Sequence, residues 1–196
     1  MSIYSIAVFL HIVGALGLFA GVALEQTSLV NLRRASAGVQ VREWLSLLGG
    51  LRRFDGPSGI LILATGFYMV AMRWGNQAWI GLALLGMVLM AVLGIAVTGR
   101  RAAALKRALP ASDQSMSSAF RQRLDDPMLR ASASLRAAIG LGIVFNMSVK
   151  PAAAGALATM GVALALGAAV AAVGWMNTRK PVPSGQRAAA PERVGR

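Results

Sequence analysis

The sequence predicts an all-α, polytopic transmembrane bundle of five spans, with short amphipathic interfacial helices in its cytoplasmic loops. Three observations lead there. Only 14% of the 196 residues are charged and 56% are hydrophobic, whereas a soluble domain carries about 25% charged residues. The apolar residues gather in long runs, and roughly twenty in succession cross a hydrocarbon core. The basic residues fall almost wholly on one side of those runs.

The first segment runs from Ile3 to Leu24. No Lys or Arg precedes it, so the positive start of a signal peptide is missing and an uncleaved first helix is expected. The second runs from Pro57 to Trp74, the third from Trp79 to Gly99, and the last from Pro151 to Met176. Between the third and the last lies Pro127 to Val149, whose apolar part, Ala137 to Val149, is short for a span. Its "DDP" opening is a helix-start signal: Asp126 can cap unpaired N–H groups and Pro127 suits the first helical position. The whole stretch makes a helix about 34 Å long. That is enough to cross, with Arg130 and Arg136 snorkelling back toward the starting face. Pro57, Pro127 and Pro151 all fall at expected helix starts.

Charge fixes the count. With five spans, five basic residues lie in Glu25–Gly56, eight in Arg100–Arg136 and five in the tail. Only Arg73 and Lys150 remain for the other face. This bias places the N-terminus outside and the C-terminus in the cytoplasm. A four-span chain would put the basic tail outside. Tyr4, Trp74 and Trp79 then fall at the outer boundary, and Trp44 and Trp175 at the inner one, as interfacial rings prefer. The net charge of +13 reads as loops that meet anionic headgroups. Nucleic acid is not the expected partner, because no basic region is separable from the spans.

In "VQVREWLSLLGGLRR", Val41, Trp44, Leu45, Leu48 and Leu51 recur at helical spacing. The pattern suits a helix in the headgroup layer, or one packed under the bundle. The second loop breaks at Pro110 and holds a short amphipathic helix around Phe120 and Leu124. A spanning domain, 1–178, is thus followed by a basic Pro/Gly-rich tail, 179–196, with no apolar run. The absence of cysteine excludes disulfides, thiolate metal sites and cysteine nucleophiles. An odd span count does not suit a simple inverted-repeat transporter.

His11 is the only histidine, about 12 Å into the first span. At helical spacing it shares a face with Ala7, Gly14, Leu18, Gly21 and Glu25, small and polar enough for another helix to approach. Its expected role is an interhelical hydrogen bond. The sharper alternative is axial ligation of a tetrapyrrole, haem or chlorophyll-type, with Met87 at matching depth as a second ligand. The pairs Met69/Met72 and Met87/Met90 also raise copper(I) ligation by thioethers, but such methionines usually fill packing gaps. Glu25 is expected to be an interfacial carboxylate near Arg33 or Arg34, and Asn146 to bond a neighbouring helix. No second buried acid or base is expected beside Glu25 or His11. No catalytic residue and no metal site is assigned.

Four stretches occur together in one kind of protein: "LHIVGALGLFAG", "REWLSLLGGLRR", "VTGRR" at Val97–Arg101 and "LGIVFNMSVKP" at Leu141–Pro151. Through them the chain resembles a bacterial polytopic integral-membrane family, catalogued as a domain of unknown function, with an LHxxG first helix. The resemblance implies a membrane bundle and no particular activity. More distantly, the first helix is similar to those of copper-resistance and haem-handling membrane proteins, which draw further histidines from other helices. The expected function is a non-catalytic accessory subunit of a larger bacterial membrane complex, photosynthetic or respiratory. Its expected partners are other membrane subunits and anionic lipid.

Overall fold

An apolar run inside a membrane has no water to satisfy its backbone N–H and C=O groups, so it closes into a helix. The computed structural model describes residues 2–109 and 117–178, apart from the side chains of 52, 118, 119, 177 and 178. It contains α1 (Ile3–Arg34), α2 (Gly38–Met69), α3 (Ala78–Val92), α4 (Arg100–Ala108), α5 (Ser118–Leu124), α6 (Pro127–Val149) and α7 (Ala153–Thr178). A π-helical segment, Val70–Trp74, continues α2, and a second, Leu93–Gly99, joins α3 to α4. No strand occurs among the described residues. Five helical stretches are long and apolar enough to cross a membrane, as a multi-pass membrane protein requires. The fifth span begins as "DDP" predicts: Pro127 opens α6 and the Asp126 carboxylate accepts from the Met128 amide at 2.9 Å.

The second span departs from its expected start. Only Ala35–Ala37 separate α1 from α2, and the helical run Gly38–Trp74 holds 37 residues. At about 1.5 Å per residue that is roughly 55 Å, well beyond a hydrocarbon core. Pro57 therefore lies inside α2 instead of opening a helix. It carries no N–H for the Arg53 carbonyl, which normally weakens a helix. Packing against α1 holds the run together. A Cβ on Gly14 would come within 3.0 Å of Ile62 Cγ1 and 3.2 Å of the Ser58 carbonyl oxygen, and one on Gly21 would fall on the Asp55 carboxylate. Glycine at these positions lets the two backbones approach.

The apolar stripe of Val41, Leu45 and Leu48 belongs to the first turns of α2 and meets protein, not headgroups. It packs on Leu29 and Leu32 of α1, Leu105 of α4, Phe120 and Leu124 of α5, and Leu129 of α6. Because α1 and α2 run on as an antiparallel pair, their apolar faces continue to face each other, and the short helices close the layer. This is the basic end of the molecule.

At the opposite end, Lys150 takes a left-handed conformation (φ 52°) and caps α6, its amide donating to the Asn146 carbonyl at 2.9 Å. Its ammonium lies 4.1 Å from the Trp74 ring centroid, and Arg73 lies 5.5 Å from that of Tyr4. Trp74 donates its indole N–H to the Tyr4 hydroxyl at 3.1 Å. Both basic residues of this end therefore rest on the aromatic rings expected at the boundary.

Within the bundle α1 packs on α2 and α6, while α6 also packs on α3 and α7. Among the described residues, α2 makes no packed seam with α3, and a cleft lies between them. The expected break at Pro110 and the tail 179–196 lie outside the described residues.

With no native cysteine in the chain, the topology is directly testable. Single cysteines at Ser36 and Ala104 should label from one side of the membrane, and those at Asn76 and Ala152 from the other. Labelling of all four from one side would rule out this arrangement.

Candidate functional site

A carboxylate or guanidinium inside a bundle is costly unless it meets its opposite. Three such groups converge near the basic end of the spans. Glu25 extends the Gly14–Gly21 face of α1, Asp55 stands on α2 across from Gly21, and Arg136 comes from α6. Arg136 Nη1 donates to Glu25 Oε2, and its Nη2 lies 3.6 Å from Asp55 Oδ2. Glu25 and Arg136 are only 5% and 6% exposed.

Three sequence expectations are corrected here. Arg136 does not snorkel to the starting face but turns into the bundle, because two carboxylates wait there and a glycine makes room. That glycine is Gly94, in the π-helical segment of the third span, where a Cβ would come 3.1 Å from Arg136 Cζ. Glu25 is not an interfacial partner of Arg33 or Arg34: it pairs with Arg136, while Arg33 bonds Asp125 at 2.6 Å. Nor is Glu25 without a further acid and base beside it: Arg136 is buried with it, and the half-buried Asp55 completes the group.

The π-helical segment is itself tied to α6. Ser132 donates its hydroxyl to the Leu93 carbonyl at 3.1 Å, so in its 3.0 Å contact with Thr98 the threonine is the donor. These bonds fix Gly94 against Arg136.

The triad closes the inner end of the cleft between α2 and the third span, a cavity of about 900 Å³. Leu18, Leu48, Met87 and Met90 give it an apolar lining, and Arg53 and Lys106 stand at its rim. Two atoms of the triad, Glu25 Oε1 and Arg136 Nε, are buried and have no hydrogen-bond partner among the described residues.

His11 lies elsewhere, fourteen residues before Glu25 on α1 and about 21 Å away along the helix. Its Nδ1 is 3.1 Å from the Ile62 carbonyl oxygen and 3.0 Å from Thr65 Oγ1, and Gly66 of α2 packs against the ring. Met87 lines the cleft between α2 and the third span, and His11 does not. Asn146 reaches the neighbouring chain segment as expected, donating to the Ala156 carbonyl at 3.4 Å.

Removing one member of the triad should cost far more than removing all its charge. Arg136→Met leaves the buried Glu25 carboxylate without its counter-charge and should lose about 3–5 kcal/mol of stability. Adding Glu25→Leu and Asp55→Asn should restore most of that loss. Thermal unfolding in detergent measures both, and equal midpoints for the single and triple variants would remove the network from the account.

His11→Ala should cost about 0.6–2 kcal/mol, the range of an interhelical hydrogen bond, and Thr65→Val should cost a similar amount. The absorption spectrum of protein from native membranes should be the same with and without His11. A visible or near-infrared band that disappears in the variant would show ligation instead.

No family model, curated protein or solved structure matches this chain, so its function has to be read from its own residues.

Proposed function

We propose that the protein is a non-catalytic accessory subunit of a larger bacterial membrane complex, of the photosynthetic reaction-centre or respiratory kind. It sits in the inner membrane with its basic end, and hence its C-terminus, on the cytoplasmic side. The observation that carries this reading is a second groove, about 810 Å³, along the outside of α6 and α7. Its floor is small: Ala137, Ala138, Gly142, Ala158, Ala163 and Gly167. Between helices in lipid there is no hydrophobic drive, so association depends on close packing, which small residues permit. Exposed Leu141, Val162 and Leu166 flank the floor and would clasp an incoming helix. The basic loops and tail suit acidic surfaces of partner subunits and anionic headgroups. The bacterial membrane family that the first helix resembles fits the same reading.

A second reading, a small membrane carrier of a haem or chlorophyll-type tetrapyrrole, draws support from His11. A histidine whose Nδ1 is held by a backbone carbonyl keeps Nε2 for a metal, as ligating histidines do.

Purification from native membranes in mild detergent should recover other membrane subunits in fixed ratio with this chain. Ala158→Phe should fill the groove and lose those subunits, since Ala158 is exposed and its replacement leaves the bundle intact. A lone protein from the native membrane would end the accessory-subunit reading.

A further inference from the structure

We propose that the cleft between α2 and the third span holds an anionic phospholipid, with its phosphate on Arg53 and Lys106 and an acyl chain along the glycine face of α2. Both basic side chains are exposed and both line the cleft. Neither forms an ion pair among the described residues. Other cations of this end are engaged: Arg33, Arg101 and Arg136 pair with Asp125, Asp126 and Glu25. The two acids of the cleft, Glu25 and Asp55, already face Arg136. The lining thus carries three cations against two anions, and the two cations without partners stand together at the rim. One further negative charge balances it.

The cleft also has the proportions of a lipid. Along the third span it reaches from Lys106 to Met87, which is roughly 28 Å of helix. Half of a bilayer about 40–45 Å thick fits within that length. Arg53 precedes Pro57 and Lys106 follows Gly99, by about 6 and 10 Å respectively, so both cations lie just beyond the apolar stretches, at headgroup depth. At the basic end Leu105 of α4 packs with Leu45 and Leu48 of α2 and closes the cleft. Farther in, α2 and α3 form no packed seam, and the exposed Ala91 and Ile95 line the gap, so a tail can enter sideways. Nothing lies within 4 Å of where Cβ atoms on Gly56 and Gly59 would be, and a chain can lie there against bare backbone. Leu18, Met87 and Met90 carry the apolar path inward.

Charge selects the headgroup. A guanidinium binds phosphate oxygens through paired N–H groups and an ammonium adds a mobile point charge. A zwitterionic lipid would bring a further cation beside Arg53 and Lys106, where both acids of the cleft are already taken by Arg136. A phosphatidylglycerol-type headgroup brings the phosphate charge alone. Free phosphate would meet the same two cations, but it has nothing to place in the apolar length of the cleft.

The site stands whether or not another subunit fills the groove on α6 and α7. Its test uses the full-length protein, delipidated in detergent and titrated with phosphatidylglycerol or phosphatidylethanolamine under native mass spectrometry. Phosphatidylglycerol should be retained about tenfold or more over phosphatidylethanolamine, as two cations at headgroup depth imply. The double variant Arg53→Gln, Lys106→Gln should erase that preference. A second double variant, Arg100→Gln, Arg107→Gln, removes the same charge from exposed positions outside the cleft and should keep it. Gly59→Leu fills the cleft without altering charge and should lower retention of both lipids. Equal retention of the two lipids by the native protein overturns the proposal, and so does an equal loss of preference in both double variants, which would show diffuse attraction. Inorganic phosphate should not match the thermal stabilisation given by phosphatidylglycerol; if it does, the ligand is a soluble anion and the lipid assignment fails. If Gly59→Leu keeps its lipid and sheds co-purifying subunits instead, the cleft holds a partner helix and the assignment fails as well.

Discussion

Charge inside a low-dielectric medium must find its counter-charge, and in this protein that requirement joins helices far apart in sequence. The guanidinium of Arg136 is held 111 residues from Glu25 along the chain, and no covalent or loop constraint brings them together. Without the pair, α6 would present an isolated cation to the inside of the bundle and α1 an isolated anion. With it, the rotation of both helices about their axes is set. The α1–α2 seam and the α6–α7 seam are then parts of one body. Such a pair adds little net stability over well-packed apolar residues of the same size. Its main effect is to select one arrangement of the helices.

Small residues follow from that arrangement. Gly21 exists to admit the Asp55 carboxylate and Gly94 to admit the Arg136 guanidinium. Gly14 and Gly17 bring α2 close enough for His11 to reach Thr65. Even the π-helical segment at Leu93–Gly99 has a local purpose, because its bonds to Ser132 hold Gly94 in register with the charge it accommodates. Part of what looks in the sequence like a general enrichment in glycine is thus a set of separate clearances, those at Gly14, Gly17, Gly21 and Gly94 each cut for a named neighbour.

Much of this was legible before the structure. The five spans follow from apolar run length and from the asymmetry of basic residues, the helix start at Asp126–Pro127 from capping chemistry, and the contact face of α1 from its glycine spacing. The second span starts earlier than the sequence predicts, because proline and its neighbouring glycine are strong boundary signals while the tertiary contact that overrides them is invisible locally. Placing 25–56 in a loop then hid Asp55, and with Asp55 hidden Arg136 had no visible reason to turn inward. A signal was present even so. Arg136 shares a helical face with Ser132, Ala133 and Gly140, the small residues of a helix seam, and not with lipid-facing leucines. The third dimension was needed to show which helix lay across it.

The long run of α2 has a mechanical consequence. A straight α-helix is stiff over several turns, so a rod from Gly38 to Trp74 couples the apolar layer at the basic end to the aromatic cluster at the other. Between its two ends that rod has a compliant joint at a proline. At Pro57 the backbone lacks a hydrogen bond, and kinks concentrate at such points. The joint lies two residues beyond Asp55 and beside the wall formed by Gly56 and Gly59. Flexure there changes the width of the cleft at the level of the triad, while Leu45 and Leu48 on one side and Thr65 on the other keep their partners.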